Sequence, residues 1–238
     1  MDLYPMLASG LILAVPAQGR ADVTGTGFCL GDRQTVVTAA HCVPGEQGIR
    51  YGVIGNLAPE AVFVTGIRRH PKADVAVMRR QEIEGDEDMA SQVFNLPSDP
   101  GLVDGQDVRA YGYPSESTPD GVSPVGRMFK GHLMRVFSFT APAGRDYFAG
   151  ETSFPIPAGA SGGPVIDQRA GHLVGVMTTN VDSYVVVDQV DEIDDAGRRT
   201  RIESKRIVSY GLIALVAGFN DWLRAAIEEL RGQEPASN

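Results

Sequence analysis

The sequence predicts an all-β protein, and three observations carry that expectation. Short apolar runs recur along the chain, each of strand length rather than helix length. These runs are rich in Val, Ile, Phe, Tyr and Thr, the residues that fit a pleated, half-buried surface. Between them lie 28 glycines and 15 prolines, enough for many tight turns. The chain has 238 residues, 43% of them hydrophobic and 21% charged, which is the composition of a globular protein and excludes a mostly disordered one. All-β barrels and sandwiches of about 200–250 residues often fold as one unit.

The first candidate strand, Leu11–Val15, lies in the apolar run Met6–Val15. A secretory leader would need a positive start before such a run, but the only early charge is Asp2 and the first base is Arg20. The run is also too short to cross a bilayer, which takes about 20 residues, so it reads as a buried strand. Strands are expected next at Thr35–Thr38, Ala61–Ile67 and Val75–Met78. The acidic stretch Gly85–Gln92 and the turn-rich Leu96–Gly105 then read as a surface crossing between two halves of similar size. Val108–Tyr113, Met134–Phe139, Val165–Asp167, Leu173–Thr178, Tyr184–Val187 and Ile207–Leu215 follow as strands, with no fixed-period repeat among them. Asp182–Arg206 is acidic in its first part and basic in its second, pivoting at Asp194–Gly197. It reads as an exposed hairpin whose two arms carry opposite charge, either a solvated loop or one that faces substrate. One helix closes the chain. Phe219, Trp222, Leu223, Ala226, Ile227 and Leu230 follow three- and four-residue spacing, and Asn220 or Asp221 is placed to cap its start. Its apolar stripe is expected to dock on a barrel.

Charge and cysteine content exclude several functions. The net charge is −9, from 30 acids against 21 bases, and only Lys72, Lys130 and Lys205 are lysines. A nucleic acid or an anionic membrane, each bound through a basic footprint, is a poor partner for such a chain. No transmembrane segment is present. The two cysteines, Cys29 and Cys42, are too few for a cysteine-rich scaffold or a four-cysteine zinc site. His70 and Asp74 have no third His or Cys nearby to complete a metal site, and no HExxH occurs. Gly25–Gly31 has the look of a dinucleotide loop, but the strand-like TVVTAA follows it where a helix would be needed. His132 and His172 sit in strand-like segments, as surface or structural residues. Neither a metal nor a cofactor is expected.

Three segments remain: Gly25–Val43 (GTGFCLGDRQTVVTAAHCV), His70–Arg79 (HPKADVAVMR) and Pro157–Asp167 (PAGASGGPVID). Taken singly, His41 could be a core histidine, Asp74 the start of a strand and Ser161 a turn residue. Together they supply the parts of a nucleophilic site. A serine hydroxyl needs an adjacent base to take its proton, and the base needs a carboxylate to fix its tautomer and stabilise the imidazolium. Ser161 lies in a glycine-rich turn just before an apolar strand. Gly159 and Gly162 permit backbone angles that other residues resist, so such a turn can aim N–H groups at a developing oxyanion.

On these residues the chain resembles the trypsin-like (chymotrypsin-fold) serine proteases, of the bacterial kind with few disulfides. TAAHC at Thr38–Cys42 matches the family's histidine motif, DVAVM at Asp74–Met78 resembles its aspartate segment, and GASGGPV at Gly159–Val165 resembles its nucleophile motif. GYP at Gly112–Pro114 and LVGVMTT at Leu173–Thr179, the latter similar to the family's substrate-pairing strand, add support. So do SYGLIAL and the Trp222 helix after it, so that the likeness covers roughly residues 10–231. The order His, Asp, Ser is that of the chymotrypsin type and not of α/β-hydrolases.

The resemblance implies two antiparallel six-stranded β-barrels and a C-terminal helix in a single peptidase domain over residues 1–238. Barrel one would occupy about 10–95, barrel two about 105–216 and the helix about 219–231. It implies a serine endopeptidase acting through an acyl-enzyme on polypeptide substrates, as a monomer. His41 would be general base and acid, Asp74 would orient it, Ser161 would attack, and the N–H groups of Gly159 and Ser161 would form the oxyanion hole. Pro155, Ile156, Met177, Thr178, Thr179, Asn180, Gly211 and Ile213 would wall the specificity pocket. No carboxylate stands among them, so an apolar or small side chain is expected before the cleaved bond rather than Lys or Arg. Cys29 and Cys42 match a family disulfide beside the catalytic histidine, with two free thiols as the alternative. The bond would be worth about 3 kcal/mol in the loop-entropy model and would favour a secreted or periplasmic location.

The chain departs from digestive members at Ala160, where they carry an Asp that pairs with a newly cut N-terminus. Activity without such a cut, and an oxyanion turn held by other contacts, are therefore expected. A catalytically inactive, protease-like binding or scaffold domain is the alternative that Ala160 favours; the intact set of three residues opposes it.

Overall fold

The computed structural model describes residues 4–84, 86, 93–95, 102–118, 121–140, 146–193 and 198–233. A short helix, α1 (Tyr4–Leu7), leads into six strands: β1 (Ser9–Pro16), β2 (Asp22–Cys29), β3 (Thr35–Thr38), β4 (Ile49–Gly55), β5 (Ala58–Arg69) and β6 (Ala76–Arg80). Every neighbour in the order β1-β2-β3-β6-β5-β4 is antiparallel, and β4 returns to β1 to close a barrel. The second half holds β7 (Asp107–Gly112), the small hairpin β8 (Ser115–Thr118) and β9 (Gly121–Pro124), then β10 (Arg127–Thr140), β11 (Asp146–Thr152), β12 (Pro164–Asp167), β13 (Leu173–Ile193) and β14 (Arg199–Leu215). Six of these strands close a second barrel in the order β10-β11-β14-β13-β12-β7. The helix α2 (Asn220–Arg231) ends the described chain.

Alternation along short strands builds separate cores. On β3, Val36 packs into the interior of barrel one with Ile12, Val53, Leu57 and Met78, while its neighbour Val37 faces the other way. Val37 joins Phe28, Val75, Val77, Phe94, Leu212 and Ala214 in a cluster that fills the seam between the barrels and receives Leu223, Ala226, Ile227 and Leu230 of α2. Barrel two has its own interior of Val108, Leu133, Val165, Val174, Met177, Ile213 and Leu215. A strand buried on both faces reads as a continuous apolar run, which is why Thr35–Thr38 and Val75–Met78 stand out in the sequence.

The expected elements meet the structure with three differences. First, Leu173–Thr178 and Tyr184–Val187 are one uninterrupted strand of 21 residues, β13. Second, β2, β4, β8, β9 and β11 are strands that glycine and polar residues hide from a search for apolar runs. Third, neither Asn220 nor Asp221 caps α2. The cap position is Phe219, with no side-chain hydrogen bond, and Asn220 is already helical. Instead α2 is tied down from its far end, where Arg231 reaches Asp32 at 2.9 Å and Arg68 meets Glu229 at 2.5 Å. The crossing expected over Gly85–Gln92 and Leu96–Gly105 and the pivot Asp194–Gly197 lie largely or wholly outside the described residues. Of the crossing, Asp86 and residues 102–105 are described. The Asp86 carboxylate takes both terminal nitrogens of the fully buried Arg80, so the ion is paired where burial would otherwise be costly.

No helix among the described residues is long and apolar enough to cross a membrane.

Candidate active site

The turn that carries Ser161 joins Phe154–Pro157 to β12, and its backbone is fixed at almost every polar atom. Ala160 N–H donates to Pro157 O at 3.0 Å, Gly163 N–H to Ala160 O at 3.1 Å, and Gly162 N–H to Met177 O at 2.7 Å. Gly159 and Gly162 have φ of +90° and +88°. A Cβ at Gly162 would lie 2.1 Å from Thr26 O, and one at Gly159 would lie 2.6 Å from Tyr113 O. Both positions therefore require glycine for conformation and for space. Neither Gly159 N–H nor Ser161 N–H meets an acceptor among the described residues.

Ala160 is fully buried in the core of barrel two, so nothing charged holds the turn at that position. Thr26 of β2 holds it instead. Its N–H donates to Ser161 O at 2.8 Å and its hydroxyl to Gly159 O at 2.8 Å. The same hydroxyl accepts from Tyr113 N–H at 2.9 Å, and Thr26 O accepts the Thr38 hydroxyl at 2.7 Å. One buried side chain of barrel one thus clasps the Ser161 turn of barrel two. Gly25 beside it leaves room, since a Cβ there would meet Cys42 Sγ at 2.4 Å and Ser161 O at 2.8 Å. Sequence reasoning missed Thr26, because a threonine in a strand is ordinary.

His41 sits in a single 3-10 turn, Ala40–Cys42, directly after β3. Asp74 holds it twice. Oδ1 accepts His41 N–H at 2.9 Å and Oδ2 lies 2.6 Å from Nδ1. The hydrogen bond to Asp74, aided by one with the Cys42 thiol and opposed by burial, pushes the imidazole up to about 10. A carboxylate at this distance favours the charged ring, which is the form a general base passes through.

Asp74 is presented by a tight turn in which His70 N–H donates to Val75 O at 2.8 Å. His70 Nδ1 accepts Ala73 N–H at 2.6 Å and Lys72 N–H at 3.1 Å. Its ring stands edge-on to Trp222 at 4.8 Å, so α2 braces the Asp74 turn. Burial, then Lys72, lowers the His70 imidazole, in keeping with an unprotonated acceptor nitrogen. His70 serves this turn through its Nδ1, and no group of three or more potential metal ligands occurs among the described residues. His132 and His172 are exposed.

Ser161 Oγ donates to Thr178 O at 2.8 Å, and no hydrogen bond joins it to His41. The two turns nevertheless touch, because Cys42 Sγ, next to His41, reaches Ser161 O at 3.6 Å. Thr178 is buried and its hydroxyl donates to Leu212 O at 2.7 Å. Tyr147, which burial pushes up to about 12, hydrogen-bonds the Thr178 side chain and feels the charge of Asp74. Tyr147 is a second residue without a sequence signal.

The two cysteines correct the expected disulfide: both are free and buried. Cys29 Sγ donates to Arg33 O at 3.3 Å within the barrel-one core, and burial pushes its thiol up to about 11. Cys42 Sγ points the other way, to Ser161. Each sulfur fills its own site, and the argument from a disulfide to an oxidising compartment falls with the bond.

Of the residues expected to wall a pocket, Pro155, Thr179 and Asn180 are exposed, while Ile156, Met177, Thr178, Gly211 and Ile213 are buried. Asn180 clamps Ile156 from both sides, accepting its N–H at 2.6 Å and donating to its carbonyl at 2.9 Å. A Cβ at Gly211 would fall 2.6 Å from Phe154 O and 3.0 Å from Ile156 Cγ1, so little space is left there. Ile156, Met177 and Ile213 pack with Phe154 and Ala160 in the barrel-two core.

Comparison with known proteins follows the same lines. The family model described as a trypsin-like peptidase domain matches residues 25–176. An uncharacterised protein of Sinorhizobium fredii, y4bJ, is 28% identical over 211 residues; these make up 87% of this chain but 30% of that protein, so the chain spans about a third of its length. The Rv3671c protease of M. tuberculosis in its active form superposes with a TM-score of 0.60 at 19% identity, covering 97% of this chain and 83% of the other. A mutant of human heparin binding protein superposes with a TM-score of 0.62 at 13% identity, covering 100% and 97%. At these identities the structural likenesses speak for the fold. With its two closed six-stranded barrels and its matching family model, this chain belongs to the trypsin-like peptidase domain family.

Proposed function

We propose that the chain is a serine endopeptidase in which His41, Asp74 and Ser161 act together. The observation that carries this reading is the double hydrogen bond of Asp74 to His41, set beside a serine turn with two N–H groups that meet no acceptor among the described residues. In the reaction, the Ser161 hydroxyl leaves Thr178 O and turns to the outer ring nitrogen of His41. Its oxygen attacks the scissile carbonyl as the proton passes to His41, and Asp74 stabilises the imidazolium. Gly159 N–H and Ser161 N–H take the oxyanion. Collapse of the tetrahedral species breaks the C–N bond, His41 returns the proton to the leaving amine, and an ester on Ser161 remains. Water, deprotonated by His41, hydrolyses that ester. Thr178 O, freed of the Ser161 hydroxyl, accepts an N–H of the substrate backbone. The filled space at Gly211 and the apolar Ile156 and Phe154 support a small or apolar residue before the cleaved bond.

The Thr26 clasp supports an oxyanion turn that is set without an ammonium group at Ala160. A second reading, a binding domain without turnover, draws on the Ser161–Thr178 hydrogen bond, which occupies the nucleophile. Hydrolysis of an unfolded protein and of a peptide library separates the two. Endoproteolysis that Ser161→Ala abolishes is expected. A folded wild type that cuts neither substrate would leave the binding reading.

A further inference from the structure

On the proposed reading substrate meets β13 only as far as Asn180, yet the strand runs on to Ile193. Near its start, β13 is paired on both edges, with β12 up to Val176 and with β14. Beyond Met177 it pairs with β14 alone, out to Ile193 opposite Arg199. From Thr178 onward, the other edge has no backbone partner among the described residues. The resulting two-stranded arm is exposed throughout residues 182–193 and 199–207. Of the 14 exposed large apolar side chains among the described residues, eight lie on it, Tyr184 and Ile193 being 66% and 71% exposed. A lone ribbon of this kind is marginal in water, and a free edge invites another strand.

We propose that the free edge of β13 beyond Asn180 is a docking rail for the part of a polypeptide substrate upstream of the cleaved bond, and that it selects segments in which basic and apolar residues alternate. The inference rests on reading Ser161 as the nucleophile. Continuity fixes the direction. A substrate strand lying antiparallel on Thr178–Asn180 runs its upstream residues toward Ile193, along the unpaired edge. Charge fixes the chemistry. Asp191 is held by Arg199 and Arg201, and Asp182 by the Ser209 hydroxyl. Asp188 and Glu192 have no ion-pair partner among the described residues. Two-residue alternation puts them on one face with Val190 between, and their cross-strand neighbours there are Ser204, Ile202 and Thr200 rather than bases. On that alternation the bases are Arg206, opposite Val185, and Arg198, just before β14 and two residues from Thr200. An added strand would lie about 4.8 Å from β13, with the bases of β14 a full strand further away. The matching segment would sit about ten residues or more upstream of the cleaved bond, at about 3.3 Å per residue. A second copy of this chain fits less well. Two β13 edges would set acid against acid, and β13 against β14 is a head-to-tail contact that need not close.

The test uses fluorescent peptides that share one cleavage sequence: a short one, a long one with Lys-Val-Lys upstream, a long one with Glu-Val-Glu there, and the basic one N-methylated at alternate upstream residues. Affinity is read by anisotropy on Ser161→Ala protein, and kcat/KM on wild type. The long basic peptide is expected to bind about tenfold more tightly than the short one, the size of one or two net hydrogen bonds. The acidic and N-methylated peptides should lose that gain, and the variant carrying Asp188→Lys and Glu192→Lys should prefer the acidic peptide. Equal affinity for all four peptides would overturn the rail, as would assembly that grows with protein concentration and is lost with the arm. Labelling of wild type by a fluorophosphonate separates the two claims. Labelling without length dependence sinks the rail alone. Length-dependent binding without labelling sinks the peptidase reading and leaves the edge as a binding surface.

Discussion

Within β13 the same residue type meets two environments. Val176, in the first third of the strand, is wholly buried between barrel two and the seam, whereas Val187, eleven positions on, is 60% exposed. Nothing in the side chain distinguishes them. The first is paired on both edges and packed on both faces; the second has one partner strand and water. Burial is assigned by neighbours, and the strand thereby divides into a fixed part that serves the Ser161 turn and a projecting part that contributes little to stability.

The sharpest way to probe the fixed part is through chemistry. Asp74→Asn should keep the fold and lower kcat by about 10⁴, because the amide stabilises the wrong histidine tautomer. The pH dependence gives the sign of the effect. His41 in the folded protein titrates at about 10, above its ordinary 6.5, so the base form grows as pH rises and the ascending limb of kcat/KM should lie above 6.5. In Asp74→Asn that limb should move down. Because the folded value is raised, the stability linked to this pair is fully present below pH 6.5 and fades as pH rises toward about 10. A thermal-melting series across that range should show the loss in wild type and not in the variant.

Packing gives the next effects. Met177→Ala, in the barrel-two core, should cost about 2–5 kcal/mol in denaturant melts, against about 0.5 kcal/mol or less for Val187→Thr on the arm. Similar losses at the two sites would break the comparison. Thr26→Val keeps the shape but leaves Gly159 O and Tyr113 N–H without their partner. About 2 kcal/mol of stability should go, and labelling of Ser161 should slow beyond what that loss explains if the clasp sets the turn. The smallest expected effect is none at all: a reductant should leave the melting temperature unchanged, since both thiols are already free.

Much of this was legible in the sequence. His41, Asp74 and Ser161 stand in specific motifs, and the strands buried on both faces advertise themselves as apolar runs. The features that escaped share a cause. Thr26 works through backbone groups of a turn more than a hundred residues away, and Tyr147 through a strand not adjacent in sequence, so neither leaves a local pattern. The expected disulfide, implied by the family resemblance, failed because a motif match says nothing about where a thiol points: Cys29 turns to Arg33 and Cys42 to Ser161. The opposite charges of Asp182–Arg206 did indicate a hairpin. They could not show that it continues the strand that carries Thr178, because Thr179–Ser183 breaks the apolar run without breaking the ladder.

The most direct test of the central claim is the intact mass of the protein after exposure to a fluorophosphonate. One adduct per chain is predicted, mapping to Ser161, absent from Ser161→Ala and strongly slowed in Asp74→Asn. A folded wild type that gains no adduct, or one that maps to another residue, would contradict the account.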